Sequence, residues 1–92
     1  MMKVKFFATI RDYTGCRQTD VPVCKDMYTL LHTLSETYGD AFRNHVLSPD
    51  GEAPGDEIIL MVNGRHIEHL QGLRTPLNEN SAVAIFPVVA GG

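Results

Sequence analysis

The chain has 92 residues, 43% of them hydrophobic, a composition that supports one small folded domain and excludes wholesale disorder. Its formal charge of −3 at neutral pH argues against a nucleic-acid partner, because phosphate binding requires a basic face. The apolar runs are too short for a membrane span, and the opening MMKVKFF lacks the apolar core and cleavage site of a signal peptide. We therefore expect a cytoplasmic protein that binds neither nucleic acid nor membrane.

The first segment, KVKFFATI at residues 3–10, predicts a β-strand because its apolar residues alternate. One face of this strand would carry Val4, Phe6, Ala8 and Ile10. Phe7 falls on the other face, which predicts that this face is partly covered as well. The stretch RDYTG then predicts a turn that ends at Gly15, and residues 18–23 predict a second strand, antiparallel to the first.

The clearest periodic segment follows, and it predicts a helix that Asp26 caps and Gly39 ends. Its apolar residues are spaced three and four apart: Met27, Leu30, Leu31, Leu34 and Tyr38. Asp40 can begin a second, short helix. Residues 48–56, SPDGEAPGD, are a loop by composition.

The last part of the sequence predicts further strands. Residues 57–62 are mostly apolar and stop at Asn63-Gly64, a pair that favours a type I′ turn and a very short return strand at residues 65–67. Residues 81–86 predict the final strand. The predicted fold class is α+β, a β-grasp or ubiquitin-like fold: a mixed four- to five-stranded sheet with one main helix on one face and the first and last strands central.

The cysteines and histidines do not predict a reactive or metal site. On one extended segment Cys16 and Cys24 would lie roughly 26 Å apart, so free thiols are expected rather than a disulfide. His66 and His69 form H-x-x-H near a turn, where that spacing does not align two ligands as it would on a helix. We expect no bound metal.

The sequence ends FPVVAGG, and this ending predicts an extended arm. Pro87 has no N–H, so it should mark where the chain leaves the sheet. Val88 and Val89 favour extended backbone, and Ala90, Gly91 and Gly92 taper to bare main chain. We predict a domain at residues 1–87 and a flexible carrier tail at residues 88–92.

Glycines suit a tail that enters a narrow channel, because glycine has no side chain and accepts any backbone angles that the channel imposes. The reactive group at the tip would be the α-carboxylate of Gly92. A carboxylate is a poor electrophile, but adenylation by ATP would give it a leaving group. A sulfur nucleophile could then convert it to a thiocarboxylate.

The chain resembles the ThiS/MoaD family of ubiquitin-like sulfur carriers, and it is most similar to small subunits of molybdopterin synthase. The residues that carry the resemblance are VKFFATIRDYTG at 4–15, MVNGRHI at 61–67, GLRTPL at 72–77 and AVAIFPVVAGG at the end. The resemblance implies that the chain is no enzyme by itself and binds no cofactor. It implies three partners: an E1-like adenylyltransferase that uses ATP, a persulfide sulfur donor, and the large synthase subunit.

Carried over residue by residue, the resemblance makes Gly92 the sulfur-bearing position and Gly91 its required small neighbour. The docking stem is then Phe86, Pro87, Val88, Val89 and Ala90. Arg11 is either an exposed polar residue at a strand end or, as the family suggests, a contact to an acidic partner. The sulfur would complete the dithiolene that binds molybdenum or tungsten.

Two other interpretations remain open. The same carrier chemistry could serve another acceptor: a thiazole, a cysteine precursor or protein lysines. Alternatively, the chain could be a β-grasp binding module without carrier chemistry, since the fold alone does not determine function.

Overall fold

The computed structural model describes residues 1–88 of the chain. A five-stranded mixed sheet has the order β2-β1-β5-β3-β4. The strands are β1 (Met2–Phe6), β2 (Gln18–Val21), β3 (Ile58–Val62), β4 (Arg65–His66) and β5 (Ala82–Pro87). β1 pairs with β2 antiparallel and with β5 parallel, so the first and last strands lie inside the sheet as predicted. The α+β, β-grasp prediction is confirmed.

The helices are α1 (Ile10–Thr14), α2 (Met27–Tyr38) and α3 (Asp40–Val46), followed by 3-10 turns at Ile67–His69 and Gly72–Arg74. The predicted cap of α2 is confirmed, because the amide of Thr29 donates to Asp26 Oδ1 at 2.8 Å. Gly39 ends α2 with φ +94°, and α3 begins at Asp40 as expected.

One core lies between the sheet and the helices. The inner face of the sheet and the apolar stripe of α2 belong to a single buried cluster. Phe6 illustrates the packing: its ring meets Tyr38 of α2 and Phe42 of α3 edge to face, with centroids 5.7 and 6.3 Å apart. The stripe predicted for the main helix is therefore core.

The prediction for the first strand is wrong beyond Phe6. Ala8 takes φ +50°, the chain leaves the sheet there, and Ile10 begins α1 instead of extending the strand. Ala8 is exposed, not on the inner face, although Ile10 is buried. The predicted RDYTG turn is therefore mostly helix, ended by Gly15 in the left-handed region. The second strand also stops earlier, at Val21 rather than residue 23.

The second half of the chain agrees more closely with the predictions from the sequence. Asn63 and Gly64 have φ +52° and +82°, the angles of the predicted type I′ turn. The return strand holds only Arg65 and His66, because Ile67 begins a 3-10 turn. Cys24 is buried and Cys16 half-buried, and both are free thiols as predicted.

Candidate functional site

The stem begins at one edge of the sheet, where β1 and β5 end side by side. Because these strands are parallel neighbours, their carboxyl ends meet at the same edge. The amide of Phe7, one residue beyond β1, donates to the carbonyl of Ile85 at 3.1 Å. The ladder therefore extends to the last residues before the tail.

An aromatic pair covers this edge on the outer face of the sheet, the face opposite α2. Phe6 and Ile85 are buried on the inner face, so their successors Phe7 and Phe86 point outward. The two outward rings stack 4.3 Å apart with an interplanar angle of 11°. Both side chains are half-buried, so each ring keeps part of its surface open to a partner.

Arg11 reaches this pair from α1. Its Nε–H donates to the carbonyl of Phe6 at 2.9 Å, and its Cζ lies 5.9 Å from the centroid of the Phe7 ring. That distance is within reach of a cation–π interaction. Arg11 is half-buried rather than exposed, and its predicted contact with an acidic partner stays a prediction.

More apolar residues continue the outer face away from the aromatic pair. The sheet register places Ile59 opposite Phe86 and Met61 opposite Ala84. We call the set the outer apolar surface: Phe7, Ile59, Met61, Ala84 and Phe86, all half-buried. Lys3 and Lys5 of β1 lie beside it and are exposed. The surface thus combines an apolar centre with two exposed lysines on its β1 side.

The stem leaves the sheet close to the predicted point. Pro87 is the last residue of β5 and pairs in register with Ile58. Val88 makes one more backbone contact, its amide donating to Glu57 O at 2.9 Å, while its side chain is 45% exposed. The predictions for Val89, Ala90, Gly91 and Gly92 lie outside the described residues, and so does the tail beyond Val88.

Sequence reasoning missed three residues of this site. It placed Phe7 on the outer face but gave it no role, and it did not single out Ile59 or Met61. Alternation within EIILMV was the available signal, since every second residue of an apolar strand must face away from the helix. Only the strand order brings these residues next to Phe86.

Cys16 and His66 each contact a neighbouring group within the fold. Cys16 Sγ is 3.7 Å from the Tyr38 hydroxyl, and burial together with this contact raises the pKa of Tyr38. His66 Nδ1 accepts from the amide of Glu68 at 3.0 Å. Within residues 1–88, three or more metal-ligating side chains do not come together. None of the helices in that range is long and apolar enough to cross a bilayer.

Comparison with known proteins identifies similar small proteins. Small archaeal modifier protein 3 of Haloferax volcanii is 33% identical over 93 aligned positions, which cover 99% of this chain and 98% of that protein. A protein of Archaeoglobus fulgidus, named as a candidate sulfur carrier, is 36% identical over 63 residues, 68% of this chain and 69% of its own length.

The fold has a close solved counterpart. The solution structure of small archaeal modifier protein 1 from Methanosarcina acetivorans matches with a TM-score of 0.84 and 29% identity, over 99% of this chain and 95% of that one. The ThiS family model matches residues 4–92. The chain therefore belongs to the ThiS family of ubiquitin-like sulfur carriers and small protein modifiers.

Proposed function

We propose that this chain is the sulfur carrier of molybdopterin synthesis, with Gly92 as the sulfur-bearing residue. The observation that carries the proposal is the end of β5: the sheet stops at Pro87, Val88 is exposed, and Val-Ala-Gly-Gly follows in the sequence. An arm that starts at the carboxyl end of an inner strand suits delivery of a terminal carboxylate into another protein. Residues 89–92 add up to about 14 Å of reach when extended.

The proposed chemistry needs two partners before the acceptor. The carboxylate of Gly92 attacks the α-phosphorus of ATP in an E1-like adenylyltransferase, which gives an acyl adenylate and releases pyrophosphate. A persulfide of the sulfur donor then attacks the acyl carbon, and AMP leaves. A thiol then attacks the donor's sulfur in the resulting acyl disulfide, which forms a disulfide with the donor and releases the thiocarboxylate. ATP is bound by the activating enzyme, and we propose no cofactor for the carrier itself.

We propose the outer apolar surface and the stem as the docking area for these partners, in the cytoplasm. Gly92 and Gly91 would enter the partner first, with Gly91 at the narrowest point of its channel, and Phe86, Pro87 and Val88 would contact the channel entrance. Aromatic side chains and methionine are enriched at protein interfaces, which suits Phe7, Phe86 and Met61. The exposed Lys3 and Lys5 would favour an acidic rim on the partner.

A second candidate function is conjugation of the tail to protein lysines. The similarity to small archaeal modifier protein 3 favours it, because that protein is named as a modifier. Both candidates need the same activated Gly92 and differ in what the acceptor takes: the pterin would take the sulfur, whereas a lysine amine would attack the acyl carbon and displace the activating group. In molybdopterin synthesis the large synthase subunit would position a cyclic pyranopterin, whereas a lysine amine would give an amide bond.

One experiment separates the two candidates. The thiocarboxylated chain is mixed with the large synthase subunit and the pterin precursor, and the dithiolene product is assayed by fluorescence after oxidation. We expect product from the full chain and none from a chain that lacks Gly92. If no dithiolene forms and peptide mass spectrometry finds the tail linked to lysines by amide bonds, molybdopterin synthesis is excluded and conjugation to lysines is supported. A chain without Gly92 that remained fully active would contradict both.

A further inference from the structure

We propose, taking the carrier function as given, that Arg11 and Phe7 are positioning residues that fix the ring of Phe86. The ring in turn would fix the direction in which the stem leaves the sheet. Three contacts form a continuous chain: Arg11 Nε to the carbonyl of Phe6, the guanidinium over Phe7, and Phe7 stacked on Phe86. Arg11 therefore acts inside the molecule rather than by a charge contact to the partner.

The backbone holds Arg11 in place for this role. The positive φ of Ala8 turns the chain sharply after β1, so that α1 lies back against the strand end. The amide of Arg11 donates to the carbonyl of Ala8 at 3.1 Å, and its own carbonyl accepts from Gly15 at 2.8 Å. Because both its amide and its carbonyl are hydrogen-bonded, the backbone of Arg11 is fixed in position, and so is the base of its side chain.

The stack lies where the backbone ladder between β1 and β5 stops, while β5 stays paired with β3 through Pro87. Phe7 makes the last backbone contact to β5, through the carbonyl of Ile85. Two residues further along β5, Pro87 has no N–H and cannot donate to β1. The Phe7–Phe86 stack is therefore the contact that ties the start of the stem to β1.

Arginine suits this position better than lysine. Its Nε–H points along a fixed direction to the Phe6 carbonyl while the planar guanidinium covers the ring beside it. An ammonium group is a compact, strongly hydrated charge and cannot make both contacts in one geometry. A charge contact to an acidic partner would instead tolerate lysine. This difference makes the two roles of Arg11 experimentally distinct.

The test compares Arg11→Lys and Arg11→Gln in two measurements, with Arg17→Gln as the matched control at an exposed arginine. The first is the set of Phe86 ring resonances of the isolated chain by NMR. The second is ATP–pyrophosphate exchange by the E1-like activating enzyme of the same organism, with the KM for the carrier and its salt dependence.

We expect both Arg11 variants to shift the Phe86 resonances and to raise the KM for the carrier by about fivefold, equally and at every salt concentration, as loss of one cation–π contact would. Phe7→Leu should do the same, and Arg17→Gln should match the wild type. Unmoved Phe86 resonances, or an Arg11→Lys variant as good as the wild type beside a defective Arg11→Gln, would overturn the inference. Shifted resonances with no exchange by the wild-type chain would leave the positioning role standing and contradict the carrier function.

Discussion

On the inner face of β5, Val83 and Ile85 are 1% and 0% exposed, whereas on the outer face Ala84 and Phe86 stay half-buried. The inner residues join the cluster that includes α2, and the outer ones lie beside Phe7, Ile59 and Met61. A single six-residue strand thus supplies both the centre of the core and the base of the stem. Alternation of side chains separates the two roles, so substitutions on the two faces should affect different measurements.

The largest effect on stability should come from the inner face. Ile85→Ala removes a fully buried side chain and leaves a cavity between the sheet and α2, at a cost of about 3 kcal/mol in the free energy of unfolding. Urea denaturation followed by circular dichroism measures it. A loss smaller than that of Phe86→Ala would contradict the assignment of the two faces.

Phe86→Ala is the matched substitution on the outer face. Because the ring is half-buried and stacks on one neighbour, we expect a loss of about 1.5 kcal/mol in the free energy of unfolding. Partner binding should suffer more: the KM of the activating enzyme for the carrier should rise at least about tenfold, as for an interface hot spot. An unchanged KM would exclude Phe86 from the docking stem.

Asp26 tests the helix that covers the inner face. Asp26→Ala removes the side-chain cap of α2 and should cost about 1 kcal/mol of unfolding free energy at pH 7. The rate of ATP–pyrophosphate exchange by the activating enzyme should not change. Asp26→Asn is the control, since asparagine also caps helices.

The cap also predicts a pH dependence. Burial raises the pKa of Asp26, but the hydrogen bonds from Thr29 outweigh burial, so that the pKa lies below its ordinary value of 3.8. A lowered pKa adds stability above pH 3.8, and this is lost as the pH falls through the folded-state value. The advantage of the wild type over Asp26→Ala should therefore shrink in strong acid. A difference in unfolding free energy between the wild type and Asp26→Ala that stayed constant down to strong acid would contradict the lowered pKa of Asp26.

The smallest effect concerns Ala8, the residue at which the chain turns from β1 into α1. Its φ of +50° is strained for alanine and ordinary for glycine. Ala8→Gly should raise the free energy of unfolding by roughly 0.5 kcal/mol, measured by urea denaturation. A destabilised variant would show that the turn is not strained.

Local signals in the sequence were enough for most of the fold. The cap at Asp26, the glycine after α2 and the Asn63-Gly64 turn each depend on neighbouring residues alone, and the structure confirms all three. The end of β5 at Pro87 followed in the same way, because proline has no N–H to donate to a neighbouring strand. The docking role of the stem stays a prediction.

The misses depend on contacts between distant residues. Val4, Phe6, Ala8 and Ile10 fit a strand by alternation, and a buried Ile10 satisfies a strand and a helix equally well. A positive φ at an alanine leaves no mark in the sequence. The Phe7–Phe86 stack requires the parallel pairing of β1 with β5, which brings together residues from the two ends of the sequence. Local patterns carry no information about that register.

The central claim is that the carboxylate of Gly92 becomes a thiocarboxylate, and the intact mass of the chain tests it most directly. After incubation with ATP, the E1-like activating enzyme and a persulfide donor, we expect a gain of about 16 Da, one oxygen exchanged for sulfur through an activated acyl group. The gain should localise to the carboxyl-terminal peptide and be absent from a chain that lacks Gly92. An unchanged mass with the activating enzyme of the same organism would contradict the account.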